Sequence, residues 1–124
     1  MILADTNVII DFWNNPTEEA KNIFETEEVA ICGVIKSELL RGSANEKQFS
    51  QMELALSDFE YLPFEESDWN LLARLFVALK KNGLAVPFQD AMIAYLAMKN
   101  DVAVWTNDKH FKLMQIALPA LKLY

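Results

Sequence analysis

The chain has 124 residues, of which 52% are hydrophobic and 11% aromatic, and its formal net charge is −7. These values predict a single domain, residues 1–124, with a real core, and they exclude a disordered chain. No apolar run reaches the ~18 residues that a membrane span needs, and the N-terminus lacks the basic region of a signal peptide. The acidity argues against a protein that grips nucleic acid through a basic surface, but it allows a nuclease whose acids are neutralised by metal. The lone Cys32, within an apolar run, predicts a core residue in a reducing, cytoplasmic compartment.

The first half of the chain alternates short apolar runs with amphipathic segments. Ile2–Ala4 read as a buried strand that stops at Asp5, and residues 8–13 begin a short helix. Asn15 before Pro16 is typical of an N-cap with proline at the first helical position, so a second helix is expected to start there. A strand over 29–32, a helix over 34–41 with Gly42 at its C-cap and a helix over about 45–57 follow.

The second half continues this alternation. Residues 61–62 predict a short strand, and Ser67 or Asp68 caps a long helix that Gly83 ends. The expected buried stripe of that helix is Trp69, Leu72, Phe76 and Leu79. A helix from Pro87 to about Lys99, a strand over 102–105, a short helix and a last strand over 121–124 complete the chain. Strands that alternate with helices predict an α/β fold, with a parallel sheet covered by helices on both faces.

Four acidic residues lie at positions that solvation does not explain. Asp5 and Asp108 follow the first and fourth predicted strands, and Glu38 and Asp90 lie in otherwise apolar helices. Ligands bind at the carboxyl ends of the strands in open α/β sheets, and a buried carboxylate needs a partner or a metal. Four oxygen ligands at one sheet edge would suit Mg²⁺ or Mn²⁺. Such sites activate water and stabilise charge on a phosphodiester, with one or two metals.

Each of the four acids also has a purely structural interpretation. Asp5 and Asp90 suit helix N-caps. Glu38 has two basic neighbours within three residues with which it can pair. Asp108 suits a turn or a cap. Periodicity alone does not show that the four carboxylates meet in space.

These motifs, taken together, resemble a PIN domain, and within that class the VapC-type toxin ribonucleases of bacterial toxin–antitoxin pairs. Successive acids are separated by 33, 52 and 18 residues, and the resemblance covers nearly the whole chain. Each motif alone is weak, but their order and spacing are specific together. The matching segments are Asp5-Thr6-Asn7, Ser37-Glu38-Leu39 with Gly42, Val86-Pro87 through Asp90-Ala91 to Ile93-Ala94, and Thr106-Asn107-Asp108 before Phe111.

The resemblance implies a three-layer α/β/α sandwich around a parallel sheet of four to five strands. It implies a Mg²⁺- or Mn²⁺-dependent endoribonuclease that inhibits translation by cutting RNA, with tRNA and ribosomal RNA as substrate classes. The residues that match the catalytic, metal-binding acids are Asp5, Glu38, Asp90 and Asp108. Thr6, Asn7 and Thr106 match positions that hold a ligand water or orient a carboxylate.

The resemblance also implies two protein partners. One is a second copy of the chain, in a homodimer, and the other is a cognate antitoxin that is encoded nearby, binds DNA and inserts a segment across the active-site groove. Four apolar residues of the early helices suit such a groove or dimer face, although they equally suit the core: Phe12, Trp13, Phe49 and Met52.

One departure from the family pattern concerns the last motif. Many relatives carry a second acid just before the Phe, where this chain has His110. The departure implies a weaker metal site, an imidazole that contacts the metal or the phosphate, or a plain surface residue.

Three other classes of protein fit these residues less well. A haloacid-dehalogenase-type phosphatase needs a second Asp where Asn7 stands, and a receiver domain needs an early acidic pair that this chain lacks. A PIN fold used only to bind RNA or protein is the remaining alternative, and the presence of all four acids argues against it.

Overall fold

The computed structural model describes residues 1–124 and contains four strands and seven helices in the order β-α-α-β-α-α-β-α-α-β-α. The strands are β1 (Ile2–Ala4), β2 (Val29–Cys32), β3 (Glu60–Leu62) and β4 (Ala103–Trp105). The helices are α1 (Thr6–Asn14), α2 (Glu18–Thr26), α3 (Gly33–Leu40), α4 (Glu46–Leu56), α5 (Asp68–Lys81), α6 (Phe88–Lys99) and α7 (His110–Ala117). None of these helices combines the length and the apolar character that a membrane crossing requires.

The four strands form one parallel sheet in the order β3-β2-β1-β4. Every residue of β1 and β2 is buried, which is the pattern of parallel strands covered by helices on both faces. The predicted α/β fold with a parallel sheet is therefore confirmed. The strand expected over 121–124 is reduced to a single parallel bridge between Val104 and Leu123, so this segment only extends the sheet beside β4.

One continuous core of 27 buried residues joins the sheet to the helices. Cys32 is fully buried within it, as the sequence predicts. The expected stripe of α5 is only partly correct, because Trp69 is 46% exposed and packs from outside on the ring of Phe64, at a centroid distance of 4.5 Å. Leu75 is buried on α5, between Leu72 and Leu79.

Two helix boundaries show how local sequence directs the chain. Asn15 does not start α2 as predicted; it ends α1, where its backbone N–H bonds to the carbonyl of Asp11. Thr17 is the N-cap of α2 instead, and its hydroxyl accepts the N–H of Ala20 at 3.1 Å. The predicted end of α5 at Gly83 is confirmed: Gly83 has φ of +71°, which is a left-handed conformation that favours glycine.

Asp68 is a buried acid that the sequence identified only as a helix cap. It is 1% exposed and accepts hydrogen bonds from the Tyr95 hydroxyl at 2.5 Å, the Glu65 backbone N–H at 2.7 Å and the Lys99 ammonium at 2.9 Å. Tyr95 and Lys99 belong to α6, so the carboxylate ties α5 to α6. The Tyr95 hydrogen bond, followed by those of Glu65 and Lys99, lowers the pKa of Asp68 to about 2.

We expect Asp68→Asn to lower the melting temperature at pH 7 by roughly 5–15 °C, because the buried side chain would lose its charge and one of the two oxygens that accept its three hydrogen bonds. A carboxyl whose pKa is depressed by folding adds stability above its unfolded pKa and loses it as pH falls through its folded pKa, here about 2. The difference from the wild type should therefore shrink between pH 4 and pH 2 in circular-dichroism melts. The exposed Asp58→Asn is the control, and equal melting temperatures at pH 7 would contradict the tether.

Candidate metal centre and active site

The candidate site begins where β1 and β4 end side by side. Ala4 of β1 pairs with Trp105 of β4, and the next backbone N–H, that of Asp5, bonds to the Trp105 carbonyl at 2.9 Å. The next strand in the sequence, β2, lies on one side of β1, and β4 lies on the other side, so the strand order reverses direction at β1. In open α/β sheets the crevice at such a point is the usual ligand site.

Asp5 is the deepest of the four acids, at 5% exposure. Its carboxylate accepts the Thr6 N–H at 2.8 Å, the Thr106 hydroxyl at 2.7 Å and the Asn7 amide at 3.3 Å. The first bond makes Asp5 the N-cap of α1, as its structural interpretation predicted, but the other oxygen faces the β4 side. Burial is the main reason that the pKa of Asp5 is raised; the Thr106 hydrogen bond opposes this effect, and the charge of Asp108 adds to it.

Hydrogen bonds join the two polar segments that follow β1 and β4. The Thr106 hydroxyl donates to Asp5 and accepts the backbone N–H of Asp108 at 2.9 Å. The side-chain oxygen of Asn7 accepts the backbone N–H of Asn107 at 3.1 Å. Thr106 therefore contacts both Asp5 and Asp108, and Asn7 contacts Asp5 and Asn107, while their orienting role toward a metal stays a prediction.

Glu38 lies on α3, near the same crevice. It makes no ion pair with Lys36 or Arg41, although the charge of Arg41 does lower its pKa. Burial, followed by the charge of Asp5, outweighs that effect and raises the pKa of Glu38 above its ordinary value. The predicted pairing is thus absent, and Glu38 interacts electrostatically with the other acids.

Asp90 is not an N-cap, because α6 begins at Phe88 after the extended Pro87. It occupies the third position of the helix, and its side chain is 14% exposed. Burial is again the main cause of its raised pKa, the hydrogen bond to His110 opposes it, and the charges of Asp108 and Asp5 reinforce it.

Asp108 and His110 complete the cluster from the β4 side. Asp108 accepts the backbone N–H of His110 at 2.9 Å, so the turn predicted there is present. The His110 Nδ1 atom lies 3.0 Å from an Asp90 oxygen and 3.2 Å from an Asp108 oxygen. Ligand atoms of these three residues lie within 4.8 Å of one another. The sequence left the role of His110 open, and its only signal was the departure from the family motif.

The chemistry of these residues fits a divalent cation. Three of the four acids have raised pKa values, and each of these three carboxyls is affected by the negative charge of at least one other. A cation between them would relieve both the repulsion and the desolvation. The buried Thr6 hydroxyl makes no close hydrogen bond, but it interacts with the Glu38 carboxylate strongly enough to lower the pKa of that acid, so it faces the same cluster. The structure thus brings together Asp90, Asp108 and His110 by distance, with Asp5 and Glu38 coupled to them by charge.

A groove of about 530 Å³ runs beside this cluster, between α1, α3 and α4. Glu38 lies on its wall, together with the apolar Trp13, Leu39 and Met52. Of the other apolar residues predicted to form a groove or dimer face, Phe12 packs on Phe24 at a ring-centroid distance of 4.4 Å, and Phe49 packs against the core.

Comparisons with known proteins identify the family and the fold of the chain. The PIN-domain family model matches residues 2–116. The chain is 29% identical over 112 residues to Ribonuclease VapC1 of Methanocaldococcus jannaschii, which is 90% of this chain and 79% of that protein. The fold is similar to that of DNA-bound VapBC from Salmonella typhimurium, with a TM-score of 0.85, 23% identity and coverage of 99% and 96% of the two chains. It is also similar to VapBC2 from Rickettsia felis bound to a promoter fragment, with a TM-score of 0.81, 24% identity and coverage of 100% and 98%.

Proposed function

The chain belongs to the PIN-domain family, and from that premise we propose that it is a metal-dependent endoribonuclease and the toxin of a toxin–antitoxin pair. The observation that carries the proposal is the convergence of Asp5, Glu38, Asp90 and Asp108 at the carboxyl edge of the sheet, with shared charge repulsion. The relative from M. jannaschii is named a ribonuclease, which supports RNA as the substrate. We also propose that residues 1–124 act as one domain in the cytoplasm, where tRNA and ribosomal RNA are the available substrate classes.

The four carboxylates would hold Mg²⁺ or Mn²⁺, since both ions favour oxygen ligands. When bound, such an ion activates water and offsets negative charge on the phosphodiester. The chain's own residues set the geometry. Thr106 and the Thr6 backbone N–H fix the carboxylate of Asp5, and the turn at Asp108 directs that side chain toward Asp90. Glu38 lies on the wall of the groove and interacts electrostatically with Asp5 and Asp90, so it would hold the ion from that side.

Thr106→Val is expected to slow RNA cleavage by roughly 10–100-fold, because valine lacks the hydroxyl that donates a hydrogen bond to Asp5 and accepts one from the backbone of Asp108. The cleavage rate would be measured at saturating Mn²⁺, and circular dichroism would show that the variant is folded. Thr26→Val is the matched control, since that hydroxyl only bonds back to the carbonyl of Asn22 on the exposed α2. A wild-type rate in Thr106→Val would contradict the orienting role.

The RNA backbone needs positive charge that the chain as a whole does not supply. Lys109 and Lys112 are exposed, and they line a hollow of about 320 Å³ next to Asp108. We place the phosphates that flank the cut on these two lysines. The double substitution Lys109→Ala with Lys112→Ala is expected to weaken RNA binding, and the loss of affinity should be smaller at high salt. A double variant whose RNA affinity depends on salt in the same way as that of the wild type would contradict this placement.

The apolar groove beside Glu38 is where we place the antitoxin segment. Met52→Glu is expected to weaken capture of the adjacent gene's product at least roughly tenfold, because a charge would be buried in the groove. RNA cleavage by Met52→Glu should persist. Leu54→Glu is the matched control, because Leu54 is 74% exposed on the same helix and does not line the groove. Equal capture by both variants in a pull-down of the co-expressed product would contradict this docking site.

We place the second copy of the chain on a different surface, formed by α5, α6 and the segment after α7. Leu71, Leu75, Met98 and Leu118 line an open hollow there of about 420 Å³, and the charged Arg74 and Lys99 also line it. Exposed apolar area of this kind is typical of a subunit contact. Sedimentation velocity should give the mass of a dimer, which Leu71→Glu converts to a monomer; a monomeric wild type would contradict the placement.

The function is tested by incubating total RNA with purified chain in Mg²⁺, in Mn²⁺ and in EDTA. Internal cleavage with either metal and none in EDTA is expected. Cleavage that persists in EDTA would contradict the proposal. Metal binding without cleavage of any RNA would favour the alternative, a PIN fold that only binds RNA or protein.

A further inference from the structure

His110 occupies an unusual position for a half-exposed histidine. Its side chain is 43% exposed, yet its Nδ1 atom points at two carboxylates, with Asp90 at 3.0 Å and Asp108 at 3.2 Å. Its backbone N–H is fixed by Asp108, and the residue begins α7, so both the main chain and the ring are oriented. One nitrogen therefore faces the point where an ion held by Asp90 and Asp108 would lie.

We propose that His110 is itself a ligand of the catalytic divalent ion, and that the resulting imidazole–carboxylate centre prefers Mn²⁺ and similar transition-metal ions to Mg²⁺. The inference rests on the proposed metal-dependent function and specifies which ion the site selects. It assigns to His110 a direct bond to the cofactor, in place of the carboxylate that many PIN domains carry before the Phe.

The two separations from His110 to the carboxylates fit a shared coordination shell, and the ligand atoms of all three residues lie within 4.8 Å of one another. Metal–ligand bonds of about 2.0–2.2 Å place neighbouring ligands about 3 Å apart around a single small ion. The observed distances of 3.0 and 3.2 Å from Nδ1 to the two oxygens lie in that range. The two carboxylates and the imidazole can thus converge on one ion without a large change of the backbone.

The donor set points to a transition metal. Mg²⁺ favours oxygen ligands and retains water, whereas imidazole is a ligand suited to first-row transition ions. Mn²⁺ is a first-row transition ion that shares with Mg²⁺ its affinity for carboxylate and water, so replacement of one acid by His110 shifts the preference from Mg²⁺ toward Mn²⁺. Without an ion, Nδ1 lies within hydrogen-bond distance of Asp90, and a divalent ion would replace that hydrogen bond while the ring stays beside both carboxylates.

The direct test is pulsed electron paramagnetic resonance of Mn²⁺ bound to the tag-free chain. His110 is the only histidine of the sequence, so any imidazole-nitrogen coupling must come from it. We expect this coupling in the wild type and its loss in His110→Ala. By titration calorimetry, His110→Asp should lower the ratio of Mn²⁺ affinity to Mg²⁺ affinity by roughly tenfold or more.

The outcomes separate this inference from the proposed function. Mn²⁺ that binds the wild type without nitrogen coupling would overturn the role of His110 and leave the carboxylate nuclease intact. An affinity ratio unchanged in His110→Asp would overturn the proposed selectivity. Absence of any Mn²⁺ or Mg²⁺ binding would overturn both the inference and the metal-dependent function. Because the wild-type spectrum alone decides ligation, a variant that failed to fold would not obscure the result.

Discussion

Asp90→Asn is expected to reduce the rate of RNA cleavage by roughly a thousandfold or more while the chain remains folded. Asparagine keeps the size of the side chain but removes the charge. Asp90 is the acid that links the two halves of the cluster, because it contacts His110 and interacts electrostatically with Asp5 and Asp108. Without that charge the remaining acids cannot enclose a divalent ion.

The measurement is a time course on one RNA that the wild type cuts, with Mn²⁺ at saturation for the wild type. Asp58→Asn is the matched control, since Asp58 is exposed and lies outside the cluster. It should cut at the wild-type rate. Cleavage by Asp90→Asn within tenfold of the wild type would remove Asp90 from the catalytic assignment.

A divalent ion is expected to raise the melting temperature of the chain by roughly 10 °C at about a hundredfold excess over its dissociation constant. The physical reason is that the cluster of buried carboxylates destabilises the folded state when no metal is bound. Asp5, Glu38 and Asp90 all have raised pKa values, for which burial is the leading cause. An acid whose pKa is raised by folding favours the folded state at low pH, and that stability is lost as pH rises from its unfolded pKa through its folded pKa.

Melts in EDTA and in Mn²⁺ across pH 4 to pH 8 would check this prediction. In EDTA, the melting temperature should fall as the carboxyls of the cluster ionise with rising pH. The contribution of Asp68, at lower pH, has the opposite sign. Mn²⁺ should restore the melting temperature at neutral pH. In Asp90→Asn the increase due to Mn²⁺ should be much smaller. A melting temperature that does not respond to either ion would contradict a metal centre at the cluster.

The features that could be predicted from the sequence are those set by local pattern. Ile2–Ala4 and Val29–Cys32 are short apolar runs, and runs of that length bounded by polar residues identify buried parallel strands. The positions of Asp5 and Asp108 followed from the same logic, because parallel strands direct their carboxyl ends to one edge of the sheet. The metal-binding and catalytic roles of these residues, and of Glu38 and Asp90, remain predictions for the experiments above.

The features that could not be predicted depend on contacts between distant residues. His110 meets Asp90 across 20 residues of sequence, and the approach depends on how α7 packs against α6. Asp68 likewise accepts hydrogen bonds from the distant Tyr95 and Lys99. A residue whose position is typical of a helix cap therefore joins α5 to α6. Both Asn15 and Thr17 are suitable N-caps for α2. Thr17 has that role because Asn15 already ends α1.

The most direct test of the central claim, hydrolysis by metal-activated water at the carboxylate cluster, is the chemistry of the cut ends. A defined RNA would be cleaved with Mn²⁺, and the ends would be identified by mass spectrometry beside an EDTA control. Attack by water predicts no 2′,3′-cyclic phosphate, and no product in EDTA. Cyclic phosphate ends that form equally in EDTA would show that the 2′-hydroxyl is the nucleophile, and would contradict the metal-dependent mechanism.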